Sequence, residues 1–158
     1  MNHSTRKSIQ RLSIAILIIG GMTLIYTYVQ MVSILWLDNF ITPMVWNPDM
    51  KGWQIFILVA RFIGITLLFI LCCIFLFRTN RGPANGEIFP KSNISLIRRA
   101  ALVATLFAFA DCNYGAAVKG LSELRLDSGT LLAPLVILLF AGLYKVAYLA
   151  AEDSKLAI

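Results

Sequence analysis

The sequence predicts an all-α polytopic membrane protein, a single four-transmembrane-helix bundle over residues 1–158 with both termini in the cytoplasm. Three observations predict it. Hydrophobic residues make up 59% of the chain, where an ordinary soluble domain has roughly 45–50%. The mean hydropathy is +0.79. Four long apolar stretches, at about 12–37, 53–77, 96–118 and 131–151, occupy most of the length. Each can cross a hydrocarbon core about 30 Å thick as a helix. The alternating pattern of a membrane barrel is absent, and in lipid a helix satisfies its own backbone hydrogen bonds. What remains outside is too short for a soluble domain.

The N-terminal segment carries Arg6, Lys7 and Arg11 and no acid. The first apolar stretch outruns the roughly 7–15 residues of a signal-peptide core, and no small-x-small site follows. It is therefore read as a retained helix, with Gly20 and Gly21 as close-packing positions. The next segment, 38–52, is an unusually apolar loop with Pro43 and Pro48 as breakers, expected to lie on the membrane or fold back over the bundle. Trp36 and Trp53 flank it and Trp46 lies within it, an interfacial aromatic belt.

The second stretch contains Arg61 and the third contains Asp111. A charge at the bilayer centre costs about 2.5–3.5 kcal/mol on insertion scales and needs a partner. Arg61 lies roughly 12 Å inside Trp53, and Asp111 roughly 10 Å inside Val118. The helices run in opposite directions, so the two charges share a depth. Gln30 sits comparably deep in the first stretch, and Asn113 neighbours Asp111. A polar layer of Gln30, Arg61, Asp111 and Asn113 is expected, centred on an Arg61–Asp111 pair. That pair can fix helix register or hold a ligand, ion or proton. Ala104, Ala108, Cys112 and Ala116 form a stripe that permits close helix approach.

The connection between the second and third stretches carries Arg78, Arg81, Lys91, Arg98 and Arg99 against Glu87 alone. Acids outweigh bases in the other two loops. Basic residues stay on the cytoplasmic side, which places the N-terminus, this connection and the C-terminus there. The net charge of +6 then reflects topology and anionic lipid, not direct nucleic-acid binding. Gly82-Pro83 and Asn85-Gly86 signal turns, and Ser92 or Asn93 is expected to cap the third helix. Phe89 reads as an exposed anchor or contact. In the fourth stretch, Lys145 lies between Tyr144 and Tyr148 and is expected to snorkel to the headgroups.

Catalytic chemistry has little to draw on. His3 is the single histidine and sits in the N-terminal tail, so no serine or cysteine triad is expected. Cys72, Cys73 and Cys112 read as small packing residues, and no metal or cofactor is expected. Small multidrug exporters carry a membrane-embedded Glu in their first helix. The first stretch here has no acid.

The order of helices, the run NGEIFPKSNISLIRR at 85–99, and the tail AAEDSKLAI at 150–158 resemble a bacterial family, domain of unknown function 2975. Its pattern of Gly, aromatic, Asn-Ile and Leu falls on Gly86, Phe89, Asn93, Ile94 and Leu96. The tail departs from the family's Leu-Thr-Ile ending, with Leu156-Ala157-Ile158. The resemblance implies a four-helix protein of the bacterial cytoplasmic (inner) membrane. It also implies a small helix-turn-helix regulator as cytoplasmic partner, met by those five residues. The leading expectation is a non-enzymatic regulatory or sensor protein. A small transporter or ligand-binding bundle using the Arg–Asp layer, and a membrane subunit of a larger complex, are the alternatives.

Overall fold

The computed structural model describes residues 3–36, 43–82 and 89–156. These form four helices: α1 (His3–Trp36), α2 (Lys51–Arg81), α3 (Ser92–Val118) and α4 (Ser128–Leu156). A 3-10 turn, Pro48–Met50, leads into α2, and no strand occurs among the described residues. All four helices are long and apolar enough to cross a membrane.

The helices outrun the apolar stretches, mostly at the ends rich in charge. Hydropathy stops at the first basic or acidic residue, whereas Lys, Arg and Glu are good helix formers. Thus α1 begins at His3, inside what reads from sequence as a tail. Neither Ser92 nor Asn93 caps α3: Lys91 precedes the helix without a side-chain capping bond, and Asn93 turns inward.

Successive helices pack antiparallel, α1 on α2, α2 on α3 and α3 on α4. Gln30 of α1 reaches Arg61 of α2, and nearer the start of α1 Gly20 sits beside Phe69, further along α2. Among the described residues, α1 and α4 make no backbone approach to each other, so the bundle is an open row with α2 and α3 at its centre. The ends of the row carry the lipid-like surface. Ile18, Ile19, Met22 and Ile25 of α1, and Leu135, Leu139, Leu143 and Val146 of α4, are exposed.

The α2–α3 contact is the closest. At Gly64 an added Cβ would lie 2.9 Å from the Cβ of Phe107 and 3.1 Å from its Cα, so only hydrogen fits there. Small residues bury the rest of this seam, with Ala60 on α2 and Ala110 and Ala117 on α3.

At each end of the helix axes a buried amide ties the bundle. At one end Gln54, 1% exposed, donates Nε2 to the carbonyls of Val45 (2.8 Å) and Ala117 (2.7 Å). Its Oε1 accepts the Asn47 N–H at 3.0 Å. Segment 43–47 therefore folds back on the end of α3, where Val45 N–H also donates to Val118 O at 2.9 Å. Met44 is buried there with Ile34 and Leu58. Gly120 closes α3 with φ +68, a left-handed terminus that favours glycine. At the other end Asn93 donates to Thr79 Oγ1 (3.2 Å) and Tyr144 Oη (3.1 Å), joining α2, α3 and α4.

Candidate functional site: a polar layer and a lateral groove

Three of the four residues expected in the polar layer meet. Arg61 Nε donates to Asp111 Oδ1 at 2.7 Å, and Arg61 Nη1 donates to Gln30 Oε1 at 3.0 Å. Two aromatic partners outside the expected set complete the layer. Tyr26 Oη accepts Gln30 Nε2 at 3.0 Å. The Tyr114 ring lies under the guanidinium, 4.1 Å from its centroid to Cζ. The guanidinium thus meets a carboxylate, an amide oxygen and a ring face, each complementary to a cation.

Asn113 does not belong to this layer. Two residues along a helix turn the side chain about 200° from Asp111. Asn113 is fully buried and holds the α3–α4 connection. Its Oδ1 accepts Arg125 N–H at 2.8 Å, and its Nδ2 donates to Arg125 O at 3.0 Å and Phe109 O at 2.9 Å. Arg125 in turn pairs with Glu123 at 2.6 Å, a bond that raises its pKa.

The ion pair is asymmetric. The Arg61 side chain is 15% exposed and that of Asp111 is 49% exposed. Arg61 takes Oδ1, and Oδ2 has no hydrogen-bond partner among the described residues. Asp111 borders a cavity of about 400 Å³ between α2, α3 and α4, with Asp127 and Thr130 beside it. Ala104, Ala108 and Cys112 also line this cavity. The small-residue stripe therefore leaves a groove along part of its length, where close approach was expected; Ala104 and Ala116 are buried, while Ala108 and Cys112 are only half-buried.

The expected cytoplasmic partner surface is largely interior. Asn93 and Leu96 are buried. Phe89 and Ile94 are half-buried and pack on Tyr144 and its neighbours, with the Phe89 and Tyr144 rings edge to face at 5.5 Å. Phe89 is thus a packed ring where an exposed anchor or contact was expected. Gly86 lies outside the described residues. The signal that could have found this packing is Tyr144 itself, since a buried phenol in an apolar helix needs a hydrogen-bond partner.

The basic residues remain at the periphery. Lys7, Arg11, Arg81, Lys91, Arg98 and Arg99 are exposed and Arg78 is half-exposed. Arg81 stacks on Phe77 at 4.1 Å. Arg6 contributes no described side chain. Comparison with protein-family models, with curated proteins and with solved structures finds no match to this chain.

Proposed function

We propose that the chain is a non-enzymatic ligand-binding protein of the bacterial cytoplasmic membrane, acting as a sensor or small transporter, with both termini inside. One observation carries the ligand-binding part. Asp111 gives one oxygen to Arg61 and turns the other to an open groove within the apolar span. A half-exposed carboxylate at that depth is costly to insert, which makes it a functional-site candidate by default. Arg61, Gln30, Tyr26 and Tyr114 hold it in place from the opposite side. The basic asymmetry of the connecting segments supports the orientation.

Thermal unfolding of the purified protein across a library of small cations, anions and amphiphiles tests this. A ligand should stabilise the wild type in proportion to its concentration and leave Asp111→Asn unshifted. Equal shifts in both proteins would refute it.

A second reading, regulation through a helix-turn-helix partner, draws on the resemblance to domain of unknown function 2975. The residues still available to such a partner are the exposed Lys91, Ser95, Arg98 and Arg99 at the start of α3. Copurification of a helix-turn-helix protein with the wild type, lost in Ser95→Trp, would support it. Copurification unaffected by that change would remove this surface from consideration.

A further inference from the structure

The groove has two chemically different ends. Below the cavity at Asp111 lies a second one, of about 220 Å³, lined by Leu71, Cys72, Phe75 and Ala100 among others. The two share Leu68 and Ile137 and so lie end to end along the same face of α3. Along α3 the groove runs from Asp111 to the level of Ile97, roughly 20 Å at 1.5 Å per residue. Tyr144, Phe75 and Phe89 close its far end.

The polar end is acidic. Asp111 and Asp127 line it, and among the described residues no lysine or arginine does. Arg61 meets Asp111 from the α1 side and balances one carboxylate, which leaves the other. Thr130 is a further sign. It is 6% exposed, it lines the cavity, and its hydroxyl makes no hydrogen bond to another described residue. Pro134 has no N–H to offer the Thr130 carbonyl one turn earlier. The acceptors gathered here are a free carboxylate oxygen, a second carboxylate and a hydroxyl. The apolar end lacks any polar lining surface.

We infer that this groove binds a single-chain amphiphilic cation of the alkylammonium class. Its head lies between Asp111 and Asp127, beside Thr130, and its chain lies along Leu68, Leu71 and Phe75. The inference rests on the proposal that Asp111 is the ligand-binding carboxylate and names the ligand class. Charge complementarity selects the sign, because an anion would face two carboxylates in a medium that screens poorly. The inner cavity, at about 220 Å³, has room for one short alkyl chain and not for the two of a bilayer lipid. A purely apolar occupant would leave the acceptors at the outer end unpaired.

The test uses the full chain in nanodiscs of phosphatidylcholine, with decylammonium as probe and decylsulfonate as its chain-matched anion. Decylammonium should bind saturably at one per chain, and decylsulfonate should show only non-saturable partition. Asp127→Asn should weaken decylammonium at least tenfold. Asp127 is exposed at the start of α4, and Asn keeps its capping capacity, so folding is preserved. Ala133→Leu, on the groove wall, should abolish saturable binding. Equal binding of the two decyl probes, or wild-type affinity in Asp127→Asn, would overturn the inference. If decylammonium fails while some other ligand depends on Asp111, the amphiphilic cation is wrong and the ligand-binding reading stands. If no ligand depends on Asp111, both fall.

Discussion

Gly64 sets the distance between the two central helices, and Gly64→Ala should separate them. The new Cβ would stand 2.9 Å from Phe107 Cβ and 3.1 Å from Phe107 Cα. Carbon atoms in contact prefer about 3.5–4.0 Å, so α3 must retreat by roughly 0.5–1 Å. Phe107 cannot evade by rotating its ring, because Cα and Cβ move only with the backbone. Overpacking of this kind costs about 1–3 kcal/mol, while alanine regains about 1 kcal/mol of helix propensity. Gly115→Ala isolates the packing term, since it adds a Cβ with nothing within 4 Å. Gly20→Ala is intermediate: its Cβ meets only the Phe69 ring edge, at 3.2 and 3.3 Å, and that ring can tilt. Unfolding in mixed micelles with increasing dodecyl sulfate should rank stability as Gly115→Ala, Gly20→Ala, Gly64→Ala. The first and last should differ by about 1–3 kcal/mol. The displacement lies one turn from both Arg61 and Asp111, so Gly64→Ala should also loosen their 2.7 Å contact and weaken ligand binding. Equal stability of Gly64→Ala and Gly115→Ala would refute the close-packed seam.

The same assay checks three further substitutions. Asp111→Ala should destabilise by about 3 kcal/mol, because it strands a buried guanidinium, and Arg61→Ala by less, because the Asp111 it leaves is half-exposed; equal losses would contradict the asymmetry. Asn93→Ala removes the amide joining Thr79 and Tyr144 and should cost about 1–3 kcal/mol, whereas Lys91→Ala, at an exposed position, should be neutral. Gln54→Ala leaves the Val45 and Ala117 carbonyls without their amide donor and should cost about 2–3 kcal/mol. It should also make segment 43–47 sensitive to limited proteolysis, and an unchanged cleavage pattern would show that the segment is held by other contacts.

The four helices and the meeting of Gln30, Arg61 and Asp111 were legible because both follow from one cost. Charge in hydrocarbon must be paired, and antiparallel helices place residues of equal depth together. Tyr26 was equally within reach, since it precedes Gln30 by four residues and so shares its helix face. The faces of α3 were harder. Asn113 was grouped with Asp111 by proximity along the chain, although helical periodicity turns it away toward Arg125. Gln54 drew no notice, because a polar residue next to Trp53 at the span's edge looks solvated. Its burial depends on segment 43–47 returning over it, a long-range event without a local signal. The residues Phe89, Asn93 and Leu96 looked like surface because the segment before them is polar and rich in turn residues. Their inward packing required knowing that Tyr144 of α4 would come to rest against them. Small residues were ambiguous in the same way. Gly64 closes a seam while Ala104 and Ala108 line a groove, and only the partner helix decides between the two.

Register has supports besides the Arg61–Asp111 pair. Two buried amides, Gln54 and Asn93, already tie α3 to its neighbours at opposite ends. Between them the fit of Gly64 against Phe107 allows α2 and α3 little freedom to slide. A buried ion pair adds little net stability over apolar residues of similar volume, and its replacement is often neutral or stabilising. The double variant Arg61→Met, Asp111→Leu should therefore fold in membranes and unfold within about 1 kcal/mol of the wild type, although each alanine single variant is destabilised. It should lose every ligand response that depends on Asp111. A double variant as unstable as Asp111→Ala would assign the pair to register. A stable double variant that has lost binding leaves ligand recognition as the reason for placing a carboxylate at that depth.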